Sequence, residues 1–111
     1  MVRIKAIREF ALNLRRLSKK YRSLQSDYAR LLDELEGNPY LGTDLGDGVR
    51  KVRMAIASKG KGKSAGARVI TYVIEEREDE IIIHLLTIYD KSEIENVSDQ
   101  FIRTLIKQIR S

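Results

Sequence analysis

Seven Lys or Arg residues stand between Val49 and Ile74, with no Asp or Glu among them: Arg50, Lys51, Arg53, Lys59, Lys61, Lys63 and Arg68. The whole chain carries a formal charge of +5, so this segment supplies +7 and the remainder sums to −2. Guanidinium and ammonium groups at that density hold phosphates and stabilise the negative charge that builds on them during a reaction. Each cation that neutralises a backbone phosphate also releases a counterion, so a nucleic acid is the polyanion this segment suits best. The plainer alternative is a solvated basic edge that keeps a strand from pairing with a neighbour.

Other chemistry-bearing residues are few. Ser58-Lys59-Gly60-Lys61-Gly62-Lys63-Ser64 ends like a phosphate-binding loop, but Ala57 stands where the first glycine belongs. A strand also follows it, where a helix N-terminus would be needed to hold the phosphate. A glycine-rich hairpin with lysines about two residues apart along an anionic strand fits better. His84, alone among Ile83, Leu85 and Leu86, is read as a satisfied strand residue rather than a catalyst. Tyr21 and Tyr28 lie on apolar helical stripes and are expected in the core. Tyr89 differs: it closes an apolar run directly before Asp90-Lys91-Ser92-Glu93, where the chain leaves the sheet. Anchor and site residue are equally open to it from position alone.

The elements that must position these groups follow from periodicity. Ile7, Phe10, Leu14, Leu17 and Tyr21 step by three and four, one stripe of an amphipathic helix whose far face carries Arg8, Arg15, Arg16 and Lys19. A short strand near Val2 to Ala6 precedes it. Leu24, Tyr28, Leu31 and Leu35 form a second stripe, stopped by Gly37 and Pro39, and the break near Arg22–Ser23 makes the two an αα-hairpin. Asn38 to Gly48 is read as loop. Beyond it the period falls to two: Val52, Met54 and Ile56 alternate with Lys51, Arg53 and Ala55, so one strand face is apolar and the other cationic. Arg68 to Glu75 and Ile81 to Tyr89 are two further strands, the last apolar on both faces as a strand covered above and below would be. Ser98 caps a final helix, with Asp99 in its first turn, Val97 and Ile102 placed as a hydrophobic staple, and Ile102, Leu105, Ile106 and Ile109 as the buried stripe. The predicted order is (β)ααβββα, an α+β domain over residues 1–111 with a small antiparallel sheet, an N-terminal helical hairpin and a C-terminal helix.

Composition agrees with one folded core. The chain has 111 residues, 42% of them hydrophobic, and its 33% charged residues are mixed in sign, which argues against disorder. It has no cysteine and one histidine, so a disulfide framework and a His/Cys metal site are not expected, and a cytoplasmic location is. The N-terminal residues lack the apolar core of a signal peptide, and no apolar run reaches membrane-spanning length.

Three pieces of the chain together resemble one family. Val49-Arg50-Lys51-Val52-Arg53 is followed by Lys59-Gly60-Lys61-Gly62-Lys63-Ser64-Ala65-Gly66-Ala67-Arg68-Val69-Ile70-Thr71-Tyr72, and then by Leu86-Thr87-Ile88-Tyr89-Asp90-Lys91-Ser92-Glu93. In order and spacing these are similar to the RelE/ParE superfamily of bacterial toxins, most of all to the RelE/HigB-like branch of type II toxin–antitoxin systems. The element order fits as well, so the resemblance covers nearly the whole chain. It implies an mRNA interferase, an endoribonuclease without metal or other cofactor, that cuts messenger RNA, typically on the ribosome, and is silenced by a cognate antitoxin. In that chemistry the 2′-hydroxyl attacks the adjacent phosphate, a pentavalent transition state gathers negative charge, and the 5′-oxygen leaves. A proton acceptor, cations on the non-bridging oxygens and a donor for the leaving group are required.

By the same resemblance, Arg68 matches the arginine that stabilises the transition state, and Lys51 and Arg53 match a basic pair on the preceding strand. Lys91 falls where the family often has a basic residue after the last strand, and Tyr89 is a candidate base or base-stacking residue. The family's tyrosine often lies in the C-terminal segment, and this chain has no tyrosine after Tyr89. The proton acceptor therefore stays open between Tyr89 and a lysine with a depressed pKa, which crowding among like charges favours. Arg50, Lys59, Lys61 and Lys63 are expected RNA contacts. The expected partners are the antitoxin, mRNA and the ribosome, not a membrane. A ParE-like member would use the same scaffold to inhibit DNA gyrase without nuclease activity, and a non-catalytic nucleic-acid binder or decayed toxin is the third alternative.

Overall fold

Alternation of apolar side chains builds a five-stranded sheet whose two faces are closed by different helices. The computed structural model describes residues 1–60, 62 and 65–110, and the expectations for Lys61 and Lys63 lie outside the described residues. The elements are β1 (Val2–Ala6), α1 (Arg8–Lys20), α2 (Leu24–Gly37), β2 (Thr43–Gly46), β3 (Val49–Met54), a 3₁₀ turn (Ala57–Lys59), β4 (Ala67–Arg77), β5 (Glu80–Asp90) and α3 (Asp99–Arg110). The strands lie in the order β1-β5-β4-β3-β2. The α+β class holds, with the N-terminal strand, two N-terminal helices and C-terminal helix in the expected order.

Two features differ from expectation. The sheet is mixed: β1 runs parallel to β5, with Val2 opposite Ile81 and Ala6 opposite Leu85, while every other pairing is antiparallel. The chain between β1 and its parallel neighbour runs through both helices and through β2, β3 and β4, far more than the dozen or so residues a parallel connection requires. The segment read as loop from Asn38 to Gly48 also contains β2. Its residues are all exposed, so no burial alternation marks it. The signal was instead Asp47-Gly48, both at positive φ (55° and 85°), the two-residue turn that closes a twisted hairpin. A Cβ on Gly48 would lie 2.8 Å from the Val73 carbonyl oxygen, so glycine is required there on two counts.

The core has two layers. Phe10, Leu17, Leu24, Leu31 and Leu35 from the helical hairpin pack on Val52, Met54, Val69, Val73, Ile83, Leu85 and Ile88. On the other face Ile102 and Leu105 of α3 pack on Val49, Ile70, Tyr72, Leu86 and Tyr89. β5 is therefore covered on both sides, as its continuous apolar run requires. The Ser98 hydroxyl accepts from the Phe101 N–H at 3.1 Å, the capping bond that starts α3.

One irregularity matters for everything below. Between β4 and β5, Ile70 pairs with Thr87 but Thr71 pairs with Leu85, so Leu86 is an extra residue, a β-bulge. Up to Leu85 the odd-numbered apolar residues of β5 face the helical hairpin. After the bulge Ile88 takes that face, Tyr89 turns toward α3, and Asp90 turns back toward α1.

Candidate functional site on the cationic sheet face

Pairing carries Arg53 of β3 directly opposite Arg68 of β4, and Arg68 opposite Tyr89 of β5. Paired residues project from the same side of a sheet, so the three form a row across three strands, about 10 Å wide at the usual strand spacing. Lys51, two residues back along β3, projects on the same side. Two arginines directly opposite one another repel, and an anion between them removes that penalty. The row lies at the end of the face that α3 covers, bordered by the 91–98 connection.

The side chains grade from buried to open. Tyr89 is 2% exposed and Arg68 6%, Lys51 is half-buried, and Arg53 is exposed. Arg68 donates from Nη1 to the Ala67 carbonyl at 3.2 Å. Burial pushes the Tyr89 hydroxyl up from its ordinary pKa, with Arg68 opposing, so at neutral pH it is a phenol and a proton donor. Asn96 ties the row to its border: its Oδ1 accepts from Lys51 Nζ at 2.9 Å and from the Val97 N–H at 3.0 Å, and lies 3.5 Å from the Tyr89 hydroxyl. Lys91 Nζ donates to the Glu95 carbonyl at 3.3 Å, so Lys91 also belongs to this border. Beside Lys51 and Arg53, an open groove of about 450 Å³ runs along Leu41, Gly42, Thr43 and Val52. It exists because β3 outruns β2, whose pairing stops at Thr43 opposite Lys51.

Two of the expected RNA contacts lie elsewhere. Arg50 has the parity of Val52 and Met54 and leaves the sheet on the opposite face. It donates to the Tyr40 and Gly42 carbonyls at 2.8 and 3.3 Å, sits over the Tyr40 ring and pairs with Asp44 at 3.6 Å. Lys59 turns inward: its ammonium donates to Asp90 Oδ1 at 2.7 Å and to the Ala65 carbonyl at 2.9 Å. The sequence brings five of the expected side chains to one neighbourhood (Lys51, Arg53, Arg68, Tyr89 and Lys91) and sends these two away.

Two groups were not singled out from the sequence. Asn96 is one, and only its place in a tight connection puts it between Lys51 and Tyr89. Asp90 is the other. It is fully buried and accepts from Lys59, Ser92 and the Tyr21 hydroxyl. Burial alone would raise its carboxyl, but the hydrogen bonds from Lys59, Tyr21 and Ser92 outweigh it and hold the group well below the usual carboxylate range. Asp27 does a similar task from α2, accepting from Ser23 Oγ at 2.7 Å and from the Ala57 N–H at 3.2 Å. Together these carboxylates pin both ends of the 3₁₀ turn that leads out of β3. His84 stacks on Tyr72, and burial, then Lys5, lowers its pKa, so it stays neutral at physiological pH.

Among the described residues, no group of three or more His, Cys, Asp or Glu side chains converges as metal ligands, and no helix is long and apolar enough to cross a membrane. No family model matches the chain, so its chemistry has to be read from these side chains.

Proposed function

We propose that the chain is an endoribonuclease of the mRNA-interferase type, the toxin of a type II toxin–antitoxin pair, cutting RNA by attack of a 2′-hydroxyl on its own phosphate. The observation that carries this reading is the cross-strand row Arg53–Arg68–Tyr89 with Lys51 alongside. It offers two guanidinium groups to one phosphate and a phenol within reach of the same position. Arg68, buried and planar, suits bidentate contact with the non-bridging oxygens, and Arg53 adds charge from the solvent side. Charge held in a half-dry site stabilises the pentavalent transition state more than it would in water.

Proton transfer divides between two groups in this reading. Tyr89, kept protonated by burial, gives its proton to the departing 5′-oxygen. Lys51, oriented by Asn96, is the group this reading assigns to receive the proton of the 2′-hydroxyl. Lys91 steadies the strand on the far border. The groove beside β3 is wide enough for a nucleotide flanking the reacting phosphate. Resemblance of Val49–Arg53, Lys59–Tyr72 and Leu86–Glu93 to the RelE/HigB-like toxins supports the same chemistry and adds the antitoxin and the ribosome as partners.

Primer extension on a defined mRNA, with and without translation, tests this for the wild type and for Arg68→Ala. Cuts in codon register that need translation and vanish in the variant are expected. Cuts on naked RNA would mean a ribonuclease independent of the ribosome. Absence of cuts in both conditions would remove the nuclease and leave inhibition of DNA gyrase to be assayed.

A further inference from the structure

The basic segment of β3 and β4 has a counterpart. Residues 1–26 hold eight Lys or Arg and one acidic residue, Glu9, a local excess equal to that of Val49–Ile74. Five of the eight lie on α1, and they divide by helix angle. Arg16 and Lys20 lean toward the end of β5, where they pair with Glu93 at 3.2 and 3.1 Å and Lys20 reaches Asp90 at 3.6 Å. Arg8, Arg15 and Lys19, spaced by seven and four, form a single stripe on the side of the helix farthest from buried Leu17. All three are exposed, and among the described residues none has a carboxylate within ion-pair distance. The stripe spans about 16 Å at the rise of an α-helix. An open depression of about 460 Å³ lies between Arg8 and Arg15, floored by Ala11 and by Leu12, which is 50% exposed.

Helix α1 and the cationic row share a rim, which α1 reaches through Arg16 and Lys20. Glu93, held by Arg16 and Lys20, is two residues beyond Lys91 and four beyond Tyr89. A strand leaving the row past Lys91 therefore meets α1 after turning one edge, where Asp90 and Glu93 are already paired with Lys59, Lys20 and Arg16. We propose that the outer stripe of α1, Arg8, Arg15 and Lys19, is a second contact for RNA. It takes the backbone of the strand beyond the nucleotides in the candidate site. The inference rests on the endoribonuclease reading only for the identity of the strand in that site.

Charge complementarity selects RNA over the other polyanions. An anionic membrane surface would need several large apolar side chains on the helix, and Leu12 is the only one on this stripe. An acidic amphipathic peptide would need an apolar groove with anchors along two helical turns, and Ala11 and Leu12 offer a single spot. Phosphates in series, with a sugar or base over Leu12, match cations in series.

The test is anisotropy with two 2′-O-methylated RNAs that cannot be cleaved, a hexanucleotide and a single strand about 30 nucleotides long, at several salt concentrations. The variant Arg8→Gln/Arg15→Gln/Lys19→Gln is expected to bind the long strand at least tenfold more weakly. Its slope of log affinity against log salt should fall by about 2, and the hexanucleotide should bind as before. A control with equal charge loss elsewhere, Arg77→Gln/Arg103→Gln/Lys107→Gln, should have a clearly smaller effect. Lys51→Ala/Arg53→Ala should weaken both RNAs. Unchanged binding of the long strand by the α1 variant, with loss in the Lys51/Arg53 variant, overturns the second contact and leaves the site intact. Loss in the α1 variant alone leaves the second contact standing and removes the site reading. Equal loss for both RNAs, equal loss in the control, or tighter competition by an acidic peptide than by RNA would each overturn the proposal. Failure of the wild type to bind either RNA would overturn both.

Discussion

Tyr89 and Asp90 are neighbours in sequence, yet they serve opposite faces of the sheet, and cations gather on both. On the helical-hairpin side Lys59 and Lys20 converge on Asp90, with the Tyr21 hydroxyl completing its shell. On the α3 side Lys51, Arg53 and Arg68 gather around Tyr89, and among the described residues no carboxylate lies within ion-pair reach of Lys51, Arg53 or Lys91. The same residue types thus do two kinds of work. A cation joined to a buried carboxylate holds elements together, because separating the pair would leave a charge in a dry place. A cation set opposite another cation weakens the fold slightly and favours any anion that arrives between them.

Substitutions on either face can break that division. The largest effect is expected from Arg68→Ala, a fall of roughly 100- to 1,000-fold in single-turnover cleavage, the usual cost of losing one transition-state donor. Circular dichroism should show the fold retained, and Arg68→Lys should recover only part of the rate, because an ammonium lacks the planar fork. Asp90→Asn should instead lower the free energy of unfolding by about 3 kcal/mol, read from the urea midpoint. If it abolished cleavage as fully as Arg68→Ala with stability unchanged, the two faces would not be separable in the way drawn above.

Acid should reveal the same carboxylate. Asp90 is held below its ordinary pKa in the fold, so its contribution is complete above about pH 4, the range where it ionises when unfolded, and is lost as pH falls through the lower folded value. Urea titrations at descending pH should show that limb in the wild type and a flatter one in Asp90→Asn. Asn96→Ala sharpens the other side: about a tenfold loss of cleavage through a loosened Lys51, with stability changed by less than about 0.5 kcal/mol since Asn96 is exposed. His84→Phe should be smallest. Its lowered pKa means that His84 supports the fold above about pH 6.5 and less as pH falls. Phenylalanine should flatten the stability profile there by a few tenths of a kcal/mol, given the partial exposure of the site.

Much of this architecture is legible in the sequence. Stripes stepping by three and four mark α1 and α2, Ser98 announces α3, and the parity of Lys51 with Arg53 puts them on one face, where they are found. β2 escaped because a fully exposed edge strand leaves no hydrophobic alternation, although Asp47-Gly48 carried the turn. Arg50 and Lys59 counted in the charge excess as equals of Lys51, but charge composition does not say which cations already have a carboxylate or a carbonyl. The excess at the N-terminus is legible in the same way, but five of its eight cations lie on α1, where a charged face is also what any solvated helix shows.

What the residues determined by themselves is local: helix faces, strand parity, caps, and a segment of seven cations without an acid. Those properties depend on neighbours within a few positions, so spacing reports them. The site was decided at longer range. One extra residue at Leu86 turned Tyr89 toward Arg68 and Asp90 toward Lys59, and the pairing of three strands put Arg53 into the same row. A shift of one residue in either register would send each side chain to the other face, because consecutive side chains of a strand alternate. Nothing in the sequence of β5 marks Leu86 as the extra residue; its position follows from how two covered faces are filled at once.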